Sequence, residues 1–127
     1  MIVKNILKVL TLVLFSSFCH AQVTQIEPQQ LIQQIENEKL LVIFDVRTED
    51  EYNRGHIKGA INIPYNQLLK NQDKITAYKD QPVILYCHSG RRAKIAAGTL
   101  QKLGFTKLID LKGHMILWEQ LRYPLVK

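Results

Sequence analysis

The sequence is poor in cysteine, in long apolar runs and in linker-like segments, and each shortage excludes a class of protein. Its 127 residues include two cysteines, six glycines and four prolines. Residues 22–127 contain no repeat, no low-complexity tract and no stretch rich in proline, glycine and serine, so we expect one domain of about a hundred residues. A hydrophobic content of 46% and a charged content of 22% are ordinary for globular proteins and exclude disordered and fibrous classes.

The most apolar segment lies near the N terminus, from Val9 to Phe18, and is shorter than the roughly 20 residues that a membrane-spanning helix needs. Two lysines precede it and the small residue Ala21 follows it, which is the order of a secretory signal peptide. We therefore predict a signal peptide over residues 1–21, cleaved after Ala21, and an exported, for example periplasmic, domain over residues 22–127 without stable membrane insertion. The alternatives are an uncleaved anchor and a lipoprotein attached at Cys19, which the bulky residue before that cysteine disfavours.

The protein carries a net positive charge, but its basic residues are not clustered in the sequence. Cleavage would remove Lys4 and Lys8 and lower the formal net charge from +6 to +4. The remaining lysines are scattered and lack the interleaved aromatic residues on which single-stranded nucleic acid stacks. We therefore predict a solvated basic surface with no nucleic-acid partner, which favours small anionic substrates.

The shortage of cysteine becomes informative once the signal is removed. Cys19 would leave with the signal peptide, so the exported domain keeps Cys87 alone and cannot form an internal disulfide. An odd cysteine in an exported protein indicates a reactive thiol or an intermolecular link. Cys87 is therefore the first candidate for a functional residue.

Apolar patterning indicates strands that alternate with helices. Short apolar runs rich in strand formers predict strands over residues 40–46, 60–63, 82–86 and 107–111. Helical patterning predicts helices over residues 28–35, 48–53, 93–103 and 115–121, with one or two short helices within 66–78. This alternation predicts an α/β fold with a central parallel sheet and helices on both faces. Ligands of such sheets bind at the carboxyl ends of the strands, and Cys87 directly follows one.

The loop after this strand reads CHSGRR and precedes a predicted helix. A strand, a tight loop and a helix N-terminus direct successive backbone N–H groups at one point, which forms an anion-binding nest. Gly90 can take the positive φ that such a loop needs, and Ser89 adds a hydroxyl. The nest, with Arg91 and Arg92, should lower the pKa of the Cys87 thiol below the free value of about 8.5. The alternative is an inert cysteine that serves as a small core residue.

The length of this loop bears on its chemistry. Cysteine phosphatases and arsenate reductases have an arginine one position beyond Arg92, where this chain has Ala93. The shorter loop disfavours a tetrahedral oxyanion and better suits one extra sulfur atom on Cys87, held as a persulfide anion.

Two stretches make the chain resemble the single-domain rhodaneses, which are sulfurtransferases: DVRTEDEYNRGHIKGAINIP at residues 45–64 and YCHSGRRA at residues 86–93. With its export signal and small size, the chain is most similar to the periplasmic thiosulfate sulfurtransferases of bacteria. The resemblance implies a rhodanese-like fold and a cycle in which the Cys87 thiolate takes the outer sulfur of thiosulfate, releases sulfite and passes the sulfur to cyanide or a thiol. It implies no metal and no organic cofactor. A second hypothesis is a sulfur carrier that receives and delivers sulfur with a protein partner and does not turn over thiosulfate.

The resemblance also assigns roles to the loop residues. Cys87 corresponds to the nucleophile, and the backbone N–H groups of the next five residues correspond to the substrate cradle: His88, Ser89, Gly90, Arg91 and Arg92. Either arginine could face the substrate.

Four polar residues of the first stretch have structural roles as their simplest interpretation: Asp45, Arg47, Glu51 and His56. Arg47 and Glu51 are four residues apart and could pair on a helix. Trp118 is most simply a core residue.

The chain departs from the family pattern near its end. His114 stands where family members usually have a second glycine, and Arg122 stands where a glycine is common. His114 is open to two interpretations: a titrating or gating group near the persulfide, or a surface histidine without a role.

Overall fold

Residues 22–127, the part of the chain that the computed structural model describes, form a parallel five-stranded sheet with helices on both faces. The strands are β1 (Thr24–Ile26), β2 (Val42–Asp45), β3 (Ile61–Asn62), β4 (Val83–Tyr86) and β5 (Leu108–Leu111). Their order across the sheet is β1-β5-β4-β2-β3, and every neighbouring pair is parallel. The predicted α/β fold is confirmed, and β4 lies at the centre of the sheet.

The helices begin where local sequence provides a cap or a turn. They are α1 (Pro28–Glu36), α2 (Glu49–Arg54), α3 (Gln72–Ile75), α4 (Arg91–Lys102) and α5 (His114–Gln120), with 3-10 turns at Tyr65–Gln67 and Thr76–Tyr78. Thr48 caps α2, because its hydroxyl accepts a hydrogen bond of 3.2 Å from the Glu51 N–H while the Glu51 carboxylate faces the Thr48 N–H at 3.4 Å.

Alternate residues of the central strands enter two separate cores, one on each face of the sheet. Phe44 of β2 and Leu85 of β4 pack on the side of α3 and α4, whereas Ile43 and Ile84 pack on the side of α1 and α5. Both faces of these strands are covered, which explains why their sequences are unbroken apolar runs and not alternating ones. Trp118 is fully buried in the second core, as predicted.

The prediction of a signal peptide falls on residues 1–21 and lies outside the described residues. Within residues 22–127, no helix is both long enough and apolar enough to cross a membrane.

Candidate active site

Cys87 lies directly after β4, at the carboxyl end of the sheet's central strand. Only 1% of the residue is exposed, and its Sγ accepts hydrogen bonds from the N–H groups of Gly90 at 3.0 Å and Ala93 at 3.4 Å. Gly90 has a φ of +113°, in the region that favours glycine, and this turns the loop around the sulfur. Gly90 is one of the five residues of the predicted cradle, whereas the second donor, Ala93, follows them as the third residue of α4.

His114, which lies 27 residues after Cys87 in the sequence, packs against this loop. It begins α5 with a φ of +51° and is 5% exposed, so the interpretation as a surface histidine is wrong. Its Nδ1 accepts a hydrogen bond of 3.1 Å from the Cys87 N–H, and its Nε2 lies 3.3 Å from Oδ2 of Asp110 at the end of β5. The next two residues of α5, Met115 and Ile116, donate their N–H groups to the carbonyls of Cys87 and His88.

Cys87 and His114 each favour the charged form of the other: the pKa of the thiol is lowered and the pKa of the ring is raised. Burial alone would raise the pKa of Cys87, but the His114 ring and the N–H groups of Ala93 and Gly90 together lower it to about 7. Burial would likewise lower the pKa of His114, but Asp110 and Cys87 raise it to about 9. The direction of the Cys87 shift agrees with the sequence prediction, whereas its main source is a histidine and not the two arginines.

The two arginines of the loop occupy different positions. Arg92 is partly buried and forms a two-pronged ion pair with Glu51 of α2, at 2.6 and 3.0 Å. The bond to Arg92 is the main reason that the pKa of Glu51 falls to about 2. Proximity to the Cys87 sulfur adds to the effects of Glu51 that raise the pKa of Arg92. Arg91, in contrast, is exposed, as are His88 and Ser89.

The predicted pair between Arg47 and Glu51 is wrong. Arg47 instead binds Asp45, with Nε 3.0 and 3.1 Å from the two carboxylate oxygens and Nη2 2.7 Å from Oδ2. Asp45 also accepts a hydrogen bond of 2.6 Å from the hydroxyl of Tyr86. All three side chains are buried, so this cluster is part of the scaffold behind the loop.

A cleft of about 320 Å³ adjoins the loop and contains charges of both signs. It lies between α2, the exposed side chain of His88 and the C-terminal segment, and is lined by Arg47, Glu51, Arg54, Gly55, His88, Glu119 and Leu125. A small polar reactant could approach the loop from this side. Within residues 22–127, no group of three or more His, Cys, Asp and Glu side chains is arranged to hold a metal ion.

Sequence comparisons relate this chain to sulfur-handling proteins. The rhodanese-like domain model matches residues 27–121. A protein of Allochromatium vinosum named sulfurtransferase is 29% identical over 104 residues, which cover 82% of this chain and 95% of that protein. YrkF, a candidate sulfur carrier protein of Bacillus subtilis, is 32% identical over 98 residues, which cover 77% of this chain and 52% of YrkF. YqhL of the same organism is uncharacterized and is 43% identical over 76 residues, which cover 60% of this chain and 59% of YqhL. The chain thus spans little more than half the length of these two Bacillus relatives.

Solved structures share the fold. The rhodanese-related protein of Thermoplasma volcanium superimposes with a TM-score of 0.69 at 27% identity, covering 81% of this chain and 97% of that one. A protein of Anabaena superimposes with a TM-score of 0.71 at 26% identity, covering 80% of this chain and 81% of the other.

Proposed function

The chain belongs to the rhodanese-like domain family, and from that premise we propose that it is a sulfurtransferase that forms a persulfide on Cys87. It takes a sulfane sulfur from thiosulfate or from another persulfide and passes it to a thiophilic acceptor such as cyanide or a thiol. The observation that carries this proposal is the Cys87 sulfur at the focus of the Gly90 and Ala93 N–H groups, with a pKa lowered to about 7. A thiol of this pKa is substantially ionised at neutral pH, and the thiolate is the nucleophilic form.

In the first half-reaction, the Cys87 thiolate attacks the outer sulfur of thiosulfate. The sulfur–sulfur bond of thiosulfate breaks, sulfite leaves with the bonding electron pair, and Cys87 carries a persulfide anion. In the second, cyanide or a thiolate attacks the outer sulfur of the persulfide, whose bonding pair returns to Cys87. The sulfur is anionic before and after each transfer, so the N–H groups of the loop stabilise both forms.

Arg92 is the arginine of the loop that we assign to the donor anion. Its guanidinium is fixed by Glu51 and lies close enough to the Cys87 sulfur for the two charges to interact, whereas Arg91 is exposed. Thiosulfate is a dianion, and a positioned arginine next to the nucleophile favours its approach.

A sulfur carrier is the second candidate function, and the name of YrkF supports it. A carrier would accept sulfur from a protein persulfide and deliver it to a protein acceptor, using the same loop. The two candidates differ in whether thiosulfate alone loads Cys87.

The test is the intact mass of the purified protein after incubation with thiosulfate and then with cyanide. We expect a gain of one sulfur atom that cyanide removes as thiocyanate, and no gain in the Cys87→Ser variant. If thiosulfate leaves the wild-type mass unchanged but a protein persulfide loads it, the carrier function is correct and the thiosulfate activity is not. Hydrolysis of an aryl phosphate that depends on Cys87 would contradict both.

We also propose that the protein is exported, on the basis of the order of charged, apolar and small residues in its first 21 positions. The protein recovered from the exported fraction should have the mass of a chain that begins at Gln22. A mass that includes Met1 in the membrane fraction would indicate the uncleaved anchor instead.

A further inference from the structure

The His114 ring contacts the backbone of Cys87 through one nitrogen and the carboxylate of Asp110 through the other, and neither His114 nor Asp110 belongs to the sequence motif of the loop. We propose that His114 takes the proton of the Cys87 thiol and, held by Asp110, stays beside the sulfur as its counter-ion throughout the transfer cycle. This inference rests on the proposed function, because it explains how the chain prepares Cys87 for sulfur transfer.

The backbone fixes the His114 ring in place. Gly113 and His114 both have positive φ values, of +75° and +51°, and this double turn aims the first side chain of α5 back at the loop. The fit is close, since a Cβ atom added to Gly90 would lie 3.0 Å from Nε2 of the ring. A residue other than glycine in this conformation costs about 1–2 kcal/mol, so a histidine here needs a compensating contact.

The contacts of the ring define its proton-accepting atom. Nδ1 accepts the Cys87 N–H at 3.1 Å and is therefore unprotonated, with its lone pair engaged by that N–H, while Nε2 lies 3.3 Å from the Asp110 carboxylate and carries the proton. This neutral tautomer presents an acceptor toward Cys87 and has an anion behind it. In the proposed transfer the Cys87 sulfur replaces the Cys87 amide at Nδ1, because one lone pair cannot serve both groups.

The charged groups around the pair favour that exchange. His114 is flanked by Asp110 of β5 and by the Cys87 sulfur of the loop, which raise its pKa. The charged group of α4 that couples to the Cys87 sulfur is Arg92, and it belongs to an ion pair with Glu51 of α2. The ring is therefore a second cation that can form beside the sulfur, in addition to Arg92, with one anion on each side of it.

The proton transfer balances without another reactant. The S–H bond of Cys87 breaks, its electron pair stays on sulfur, and the proton forms an N–H bond at Nδ1 of His114. The result is a thiolate paired with an imidazolium. Because the persulfide is also an anion, the proton remains on His114 while sulfur arrives and leaves, and His114 does not act as a shuttle to the acceptor.

The experiment is a pH titration of the Cys87 thiolate, followed by its ultraviolet absorbance. The Cys87→Ser variant serves as the blank, so that Cys19 does not contribute where it is present. In the wild type we expect half-titration near pH 7. The His114→Gln variant keeps an acceptor for the Cys87 N–H and a donor for Asp110 but cannot take the proton, so its thiol should titrate at least about one unit higher, toward the free value near 8.5. Asp110→Asn should shift the titration in the same direction by less.

The matched control is Asp73→Asn, which removes an exposed carboxylate on α3 that is not among the groups shifting the pKa of Cys87 or His114, and it should titrate like the wild type. A His114→Gln titration that overlays the wild type would overturn the inference, as would a shift of equal size in Asp73→Asn.

A second experiment follows His114 itself, because coupled groups shift each other's pKa. Cys87→Ser should lower the pKa of His114, measured by NMR of its ring protons. An unchanged His114 titration would contradict the inference. None of these readouts requires turnover, so the inference can fail while the sulfurtransferase activity stands, and the converse also holds.

Discussion

Tyr86 is the residue that joins the two stretches with family resemblance, residues 45–64 and 86–93, into one scaffold. Its hydroxyl donates to Oδ2 of Asp45 at 2.6 Å and accepts from the N–H of Ile57 at 3.1 Å. Burial is the main reason that its pKa is raised, and the neighbouring Asp45 carboxylate adds to it. The hydroxyl therefore stays protonated. Tyr86, which directly precedes the candidate nucleophile Cys87, thus holds the buried Asp45 carboxylate in place.

We expect Tyr86→Phe to lower the free energy of unfolding by about 2–4 kcal/mol, because it removes a hydrogen bond to a charged group and leaves the buried Ile57 N–H without its acceptor. Urea denaturation measures the loss. The matched control is Tyr123→Phe, which removes a hydroxyl from a half-buried ring packed edge-on against Trp118 and should cost less than about 0.5 kcal/mol. Equal losses in the two variants would mean that the Tyr86 hydroxyl has no special role.

At the same scale, sequence spacing predicts which residues matter but not how they pair. The spacing of Arg47 and Glu51 suggested a local pair, but Arg47 turns back to Asp45 at the end of β2, where the carboxylate can accept both guanidinium donors and the Arg47 N–H. Glu51 is then free to reach Arg92, 41 residues away. A bond of this range depends on how two helices approach the same edge of the sheet, which no local pattern encodes.

At the scale of elements, the last helix is bounded by two residues whose conformation favours glycine. His114 at its start and Arg122 after its end have φ values of +51° and +55°, at the two positions where the family resemblance predicted glycine. His114 has contacts that offset the cost of this conformation, whereas Arg122 is exposed.

Arg122→Gly should therefore stabilise the protein by about 0.5–1 kcal/mol, because the relief of the left-handed conformation exceeds the entropy that glycine adds to the unfolded chain. Arg122→Ala removes the same charged side chain but keeps the unfavourable φ, so it should give no gain. Chemical denaturation of the three proteins in parallel separates the backbone effect from the loss of charge. A gain of the same size in both variants would assign the effect to charge.

The elements themselves were largely predictable, and the exception has a physical reason. The apolar runs at residues 40–46, 82–86 and 107–111 all contain strands, because strands covered on both faces need continuous apolar sequence. β1 was not predicted: it is a three-residue edge strand whose first two residues are exposed, so it lacks a distinguishing pattern. The role of His114 was only one of two open interpretations, since its burial depends on the turn at Gly113 and on the loop it packs against.

At the scale of the whole molecule, the pair of Glu51 and Arg92 links α2 to α4 across the candidate site. Its oxygen and nitrogen atoms are 2.6 Å apart, and about a quarter of each side chain is exposed. The pair therefore joins two helices beside the candidate site. It should contribute to the free energy of unfolding of the domain as long as Glu51 is ionised.

Protonation of Glu51 at low pH should break the Glu51–Arg92 ion pair within a defined pH interval. The bond from Arg92 lowers the pKa of Glu51 from 4.5 to about 2, so the stabilisation by the Glu51 carboxylate is fully present above pH 4.5 and is lost as the pH falls toward 2. With allowance for solvent screening, we expect the wild type to lose about 1–2 kcal/mol more than Glu51→Gln between pH 5 and pH 2.5. Urea denaturation across this interval measures the difference, and the other carboxylates cancel because both proteins contain them. Glu36→Gln, at an exposed position at the end of α1, should follow the wild type. If the stability curves of Glu51→Gln and the wild type stay parallel from pH 5 to pH 2.5, the ion pair contributes nothing to the acid stability of the domain.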